Sequence, residues 1–363
     1  MELAEIPDAD IHHRAGIDHA VHCAGFQQVI NIIVFPYVAC GCNFQATGTN
    51  CRSSIRRCIE LHPEIGKLFS KGNGICIVIV FHRNQNTGRV ALLGGMDVRS
   101  GGIIKIDAVF PVLHGKNGED GTMQGLLEIS GLPYVGCDTA SSAVCMDKAF
   151  TNAMLDFNGI PQAKWTAFNK YSYAANKAEI LKDAAEKLGF PIFVKPANAG
   201  SSVGISKANS AEELERACEI AFEHDSKLVL EEGIVGKEVE CAVLGNEKPI
   251  ASIAGEIVPC NDFYDYDAKY LANSSELHIP ARLSEEKINE VRKAAVEAYM
   301  ALGCSGFSRV DFFVRDCDGK ILLNEINTIP GFTSISMYPK LFAASGIPYP
   351  ELLDKLICYA MER

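Results

Sequence analysis

The sequence predicts an α/β protein of more than one domain. Three observations carry that expectation: a strand–helix–strand succession over residues 105–135, two alternating apolar strands over 303–327, and amphipathic helices set between further apolar runs. With 363 residues the chain is long enough for two or three domains with substantial cores. Its net charge of −11 argues against bulk binding of nucleic acid or of an anionic membrane, while a locally basic nucleotide site stays compatible with it. The first ten residues are acidic and lack an apolar core, so no secretory signal is expected. The apolar run over 29–40 is broken by Asn31 and Pro36 and is too short to span a bilayer. Fourteen cysteines without framework spacing fit reduced thiols in a cytoplasmic protein.

Residues 1–90 show little periodicity. His12, His13, His19, His22 and Cys23 crowd the start, but no paired, well-spaced ligand set completes a metal site, and a poorly structured tail is the better reading. Segments 30–34 and 75–81 read as buried strands. A strand over 106–113 ends in the loop His114-Gly-Lys-Asn-Gly-Glu-Asp-Gly121, a helix covers 122–130, and a strand returns over 131–135. That order implies a parallel layer whose ligands collect at the carboxyl ends of the strands, where His114, Glu119 and Asp120 sit. A helix is expected over 145–160, stopping before Gly159 and Pro161. The strand 190–196 carries Lys195 near its end, and the loop 199–205 follows. Ser210-Ala-Glu-Glu213 forms a capping box for a helix with Leu214, Ala217, Cys218, Ala221 and Phe222 on one face. Strands are expected over 227–231, 238–244 and 250–258, and an ordered loop over 262–275. Ile288, Val291, Ala294, Ala295, Ala298, Tyr299 and Leu302 mark a helix ended by Gly303.

The chemistry concentrates in the last strand pair. Side chains two apart on a strand share a face, so Arg309 and Asp311 point one way, as do Glu325 and Asn327, while Val310, Phe312 and Ile326 point into an apolar layer. A hairpin turning at Asp316-Cys-Asp-Gly319 sets Asp311 opposite Glu325 and Arg309 opposite Asn327. Such a face offers oxygen donors of the kind Mg2+ takes, beside a guanidinium able to hold a developing anion. The competing reading is a surface strand with its charges in water. Gly200-Ser-Ser-Val-Gly204 can bring backbone N–H groups close to phosphate oxygens, although it is not a P-loop and an ordinary turn remains open. Lys195 and Lys148 are phosphate counter-charges in that reading, or solvated lysines in the other. Glu231, Glu232 and Glu238 could meet an adenine amine and a ribose, or simply decorate a sheet end. Gly331, after Asn327, permits a close backbone N–H beside Arg309.

Together these motifs, with Met146-Asp-Lys148, Val194-Lys-Pro196, Ala268-Lys-Tyr270, Gly306-Phe-Ser-Arg-Val-Asp311 and Asn324-Glu-Ile-Asn-Thr-Ile-Pro-Gly331, resemble the D-alanine–D-alanine ligase family. That family includes the D-alanyl-D-serine and D-alanyl-D-lactate ligases of vancomycin resistance. The resemblance covers roughly residues 105–363. It implies an ATP-grasp fold preceded by a Rossmann-like α/β domain, with an N-terminal domain over 1–140 (degenerate over 1–90), a central lobe over 141–230 and a C-terminal lobe with the metal site over 231–363. It implies ATP and two Mg2+ ions, with Mn2+ as an alternative, D-alanine and a D-amino acid acceptor as substrates, peptidoglycan precursor synthesis as the purpose, and a homodimer as the assembly.

By matched position, the resemblance gives Asp311, Glu325 and Asn327 to the metal. Lys148, Lys195 and Lys269 go to the ATP phosphates, and Glu231, Ile234 and Glu238 to adenine and ribose. Arg309 and the Gly331 amide would stabilise the tetrahedral oxyanion, Ser336 would hold the acceptor, and His114 would lie beside the first substrate. Ser201 and Tyr270 would meet when the 262–275 loop closes and excludes water. Two departures stand out. The family opens with Gly-Gly-x-Ser-x-Glu, whose Glu binds the first ammonium. Here neither 34–42 nor Gly94-Gly95 supplies it. Ile335 also stands where relatives often carry His. The expected activity is therefore ligation of D-alanine to D-alanine or D-serine, the alternative being an ATP-binding remnant with a damaged first-substrate site. Lys269-Tyr270 favours an amine acceptor over lactate.

Overall fold

Apolar alternation becomes sheet in this protein wherever a neighbouring strand is available to cover it. A computed structural model describes residues 77–83, 90–97, 103–104, 108–200, 203–258, 276–333 and 335–363. The histidine-rich start, the strand expected over 30–34, Ser201, Lys269, Tyr270 and the 262–275 loop lie outside the described residues.

The described chain divides into two compact units. The first takes in the described residues up to Leu113, with Leu127–Val135 and Ala360–Arg363. It contains β1 (Ile77–Arg83), β2 (Val90–Asp97) and β3 (Ile103–Ile104), paired antiparallel in that order. The strand expected over 75–81 is β1, and Gly94 and Gly95 lie inside β2. Helix α1 (Thr122–Ser130) forms where the periodicity places it. Val109 and Tyr134 form a parallel bridge, in the sense that the strand–helix–strand order requires. Val109 N donates to Pro133 O at 2.8 Å and Val135 N to Val109 O at 2.8 Å. The ladder is short among the described residues: one bridge stands where two full strands were expected.

The second unit, His114–Leu126 with Gly136–Tyr359, holds two antiparallel sheets. The helix expected over 145–160 is two helices, α2 (Thr139–Met146) and α3 (Lys148–Phe157). Asp147 separates them with an extended conformation (φ −87°, ψ 101°). Its carboxylate accepts from Ala149 N at 3.1 Å and Phe150 N at 3.3 Å, so the capping chemistry of a short side chain overrides continuous apolar spacing. Next come β4 (Trp165–Asn169) and α4 (Lys170–Leu188), neither of them expected from the sequence. A non-helical Asn176 breaks α4 and obscures its period.

β5 (Ile192–Pro196), β6 (Ser206–Ala208), α5 (Ala211–Ala221) and β7 (Lys227–Glu232) complete the first lobe, in sheet order β4-β7-β5-β6. Tyr173, Leu188, Ile192, Val194, Leu214, Leu228 and Leu230 form its core. Ser210 caps α5 through Glu213 N at 3.3 Å, but Glu213 reaches back to Asn209 N at 2.7 Å, one residue before the cap.

The second sheet contains β8 (Gly236–Leu244), β9 (Ile250–Val258), β10 (Glu276–His278), β11 (Phe307–Arg315) and β12 (Ile321–Asn327), in order β10-β9-β8-β11-β12. Helix α6 (Glu285–Ala301) buries Val291, Ala295, Ala298 and Tyr299 with Val239, Cys241, Val310 and Phe312 of the sheet. Of these, Val239, Val291, Val310 and Phe312 each stabilise the fold by about 1.5–3 kcal/mol through burial. That packing holds β11 flat against its neighbours and leaves its alternate residues, Arg309 and Asp311, on the other face. Two helices the sequence did not announce, α7 (Met337–Ala344) and α8 (Tyr349–Met361), close the chain.

Candidate active site

The centre of the site is a polar row crossing three strands. Arg309 pairs with Asn327 of β12 and Ala242 of β8, and Asp311 pairs with Glu325 and Glu240. The hairpin register is the one expected from alternation. Burial alternates along β11, as it must when one face packs a core and the other does not. The Arg309 guanidinium clamps Asp311 through Nε–Oδ1 at 2.7 Å and Nη2–Oδ2 at 2.6 Å. It also forms an ion pair with Glu240 at 3.1 Å. Asn327 Nδ2 donates to Asp311 Oδ2 at 3.0 Å. Burial alone would pull Arg309 down, but Asp311, Glu240 and Glu325 outweigh it and hold the guanidinium well above its ordinary pKa.

Glu240 was missed by the sequence reading. Its signal was available, two residues from Glu238 on a strand, but its partner strand β11 lies some seventy residues on and only the register brings them together.

Lysines approach from the other sheet and from α3. Lys195 Nζ donates to Glu231 Oε2 at 2.6 Å and to Asn324 Oδ1 at 3.4 Å. Asn324 is reached because the β11–β12 register shifts between Asp311 and Phe312, where Asp311 faces Glu325 but Phe312 faces Leu323. Glu231 also accepts from Asn152 Nδ2 at 3.3 Å. Lys148 opens α3, and its Nζ donates to Ala199 O at 2.7 Å. Burial lowers its pKa, opposed by Glu325, Glu231 and Glu119. Gly204, at φ +71°, lies so close to His224 and Pro196 that a Cβ would come within 2.5 Å and 2.9 Å of them. Ile234 is half-buried between β7 and β8, and Glu238 faces Phe313 and Ile257 across β8.

The loop from His114 to Gly121 supplies the remaining groups. His114 keeps an edge in solvent, yet the protein around its ring and then the Arg309 charge lower its pKa, against a hydrogen bond to the Ile329 backbone. Glu119 Oε1 accepts from Gly115 N at 2.8 Å. Beyond β12, a Cβ on Gly331 would lie 2.7 Å from Ser336 Oγ, so the backbone runs close beside that hydroxyl. Ser336 Oγ accepts from Thr333 N at 2.9 Å and does not cap α7.

The structure thus brings Arg309, Asp311, Glu325 and Asn327 onto one face, with Lys195 tied to Asn324 of the same strand. Asp311, Glu325 and Asn327 are hard oxygen donors of the class suited to Mg2+. Both Asp311 oxygens are engaged by Arg309 and Asn327, and among the described residues no three His, Cys, Asp or Glu side chains surround a common point. The donor chemistry fits the ion.

The family description "D-ala D-ala ligase C-terminus" matches residues 154–358, and "D-ala D-ala ligase N-terminus" matches 84–137. The D-alanine–D-alanine ligases of Acetivibrio thermocellus and Ruminiclostridium cellulolyticum are each 55% identical, over 259 and 260 residues, spanning 71% of this chain and 69% of the relative. Among solved structures, the VanG D-Ala:D-Ser ligase of Enterococcus faecalis aligns with a TM-score of 0.68 at 43% identity, covering 82% of this chain and 83% of that one. The D-alanine–D-alanine ligase of Coxiella burnetii aligns at 0.66 and 37%, covering 83% and 78%. The sheets on either side of the acid-rich face are those of an ATP-grasp protein, and the chain belongs to the D-alanine–D-alanine ligase family.

Proposed function

We propose that this protein is an ATP-dependent ligase joining D-alanine to a second D-amino acid, D-alanine or D-serine, for peptidoglycan precursors. The observation that carries the proposal is the β8–β11–β12 face, where Glu240, Asp311 and Glu325 share the single guanidinium of Arg309. In this reading Asp311, Glu325 and Asn327 hold Mg2+, which supplies charge neutralisation for the ATP phosphates. Lys148 and Lys195 lie against those phosphates, with Lys269 from the 262–275 loop. Glu231, Ile234 and Glu238 line adenine and ribose. Phosphoryl transfer to the carboxylate of the first D-alanine gives an acyl phosphate. The acceptor amine attacks its carbonyl carbon, the C–O bond to phosphate breaks, and a peptide bond forms.

Arg309 and the Gly331 N–H stabilise the oxyanion formed during attack, and Ser336 orients the acceptor. His114 lies beside the first substrate, and Ser201 with Tyr270 excludes water when the loop closes.

A second reading rests on the missing Gly-Gly-x-Ser-x-Glu segment: a remnant that binds Mg-ATP without ligating. One assay separates them. Phosphate release is followed with D-alanine alone and with D-alanine plus D-serine, and the products are weighed by mass spectrometry. Amino-acid-stimulated phosphate release with a dipeptide product supports the ligase. Nucleotide binding without stimulation supports the remnant. The mass of the mixed-substrate product assigns the acceptor.

A further inference from the structure

Recognition of a zwitterion takes an anion for its ammonium as well as a cation for its carboxylate. The carboxylates around the polar face are mostly committed. Asp311 holds Arg309 and Asn327, and Glu231 holds Lys195 and Asn152. Asp120 gives both oxygens to backbone, accepting from Asn117 N at 2.7 Å and Thr122 N at 3.0 Å. Glu119 differs. Its Oε1 accepts from Gly115 N at 2.8 Å, and no hydrogen bond reaches Oε2 among the described residues. Lys148, the cation whose charge it feels most, donates to the Ala199 carbonyl instead. A Cβ on Gly200 would lie 3.6 Å from Glu119 Oε1 and 3.9 Å from the Gly115 Cα, so the glycine loop roofs this carboxyl. Burial first, then Glu325, raises its pKa to about 7 against the Gly115 hydrogen bond. A carboxyl held against desolvation with one oxygen open is a receptor for a cation.

We propose that Glu119 receives the ammonium of the first D-amino acid, from the same loop that carries His114. This rests on the ligase reading and deepens it. It supplies the counter-charge for the donor substrate in a chain that contains no Gly-Gly-x-Ser-x-Glu segment.

The test uses E119Q in the full chain, because Gln keeps an oxygen for the Gly115 N–H and loses only the charge. Half-saturation for D-alanine in phosphate release rises by about tenfold or more, the worth of one charge-assisted hydrogen bond. Half-saturation for ATP stays within about twofold, since a group that meets the amino acid alone leaves nucleotide binding intact. The ligand-free variant melts no lower than the parent, because relieving a buried charge does not destabilise. A purely structural Glu119 would instead lower the melting temperature and disturb both substrates, and that pattern overturns the proposal. So does an unchanged half-saturation for D-alanine. E119D, which keeps the charge on a shorter arm, falls between parent and E119Q and serves if E119Q does not fold. A parent protein with no D-alanine-dependent phosphate release removes the ligase reading and this proposal together. An active parent with an unaffected E119Q removes this proposal alone.

Discussion

Two carboxylate–guanidinium clusters sit on opposite faces of the five-stranded sheet, and they balance charge in opposite ways. Glu256 pairs with Val239 and Glu240 pairs with Asp311, so adjacent residues of β8 divide the two faces. Glu256, only 2% exposed, accepts from Arg282 Nε at 3.1 Å, Arg282 Nη2 at 2.8 Å, Arg282 N at 2.9 Å and Lys237 Nζ at 2.8 Å. One carboxylate meets two cations, and the Arg282 hydrogen bonds above all hold its pKa down at about 2. On the other face one guanidinium meets three carboxylates. A cluster with every lone pair answered serves the fold. A cluster in which carboxylates outnumber guanidinium groups fits the cation-binding role proposed for this face.

That contrast can be broken by substitution. Glu325→Ala has the largest expected effect, a loss of turnover of about a thousandfold, equivalent to about 4 kcal/mol of transition-state stabilisation, with little change in melting. Steady-state phosphate release measures it. Glu256→Gln should do the reverse, lowering stability by about 2 kcal/mol, discounted because Arg282 and Lys237 reach into water, while leaving both substrate half-saturations unchanged. The sign with pH follows from the depressed folded-state pKa. Glu256 contributes fully above its unfolded value near 4.5 and loses that contribution as pH falls toward about 2. Denaturant melts of parent and Glu256→Gln should therefore differ at pH 7 and converge near pH 2.

Mg2+ comes next in size. At ten times its dissociation constant it should stabilise the parent by about 1.4 kcal/mol and Glu325→Ala by much less, read as a difference in melting temperature. Ser210→Ala, which removes the α5 cap, is the smallest at about 1 kcal/mol and should leave activity alone.

The acid-rich face was readable because its information is local. Strict alternation fixes which side chains share a face, and Asp316-Cys-Asp-Gly319 marks where the strand reverses; the one-residue shift between Phe312 and Asp311 then sets Asp311 on Glu325 rather than on Asn324. Glu240 was not readable, because its place depends on β8 docking beside β11, a pairing distant in sequence. The Asn324–Lys195 contact escaped for a related reason: a bulge re-aims a side chain that simple alternation sends elsewhere. The helix break at Asp147 had a visible signal, a capping side chain before Ala149 and Phe150, that continuous apolar spacing outweighed. For β4 and α4 the pattern was weak, since β4 is half-buried along most of its length and Asn176 breaks the helical phase. Pairings between distant segments, more than propensity, set the limit.

The most direct test compares the parent and Glu325→Ala for D-alanine-dependent phosphate release at saturating Mg-ATP. Stimulated release by the parent, lost in the variant while its fold persists, is the result expected. Undiminished release from Glu325→Ala, or a parent that D-alanine leaves unstimulated, would contradict the account.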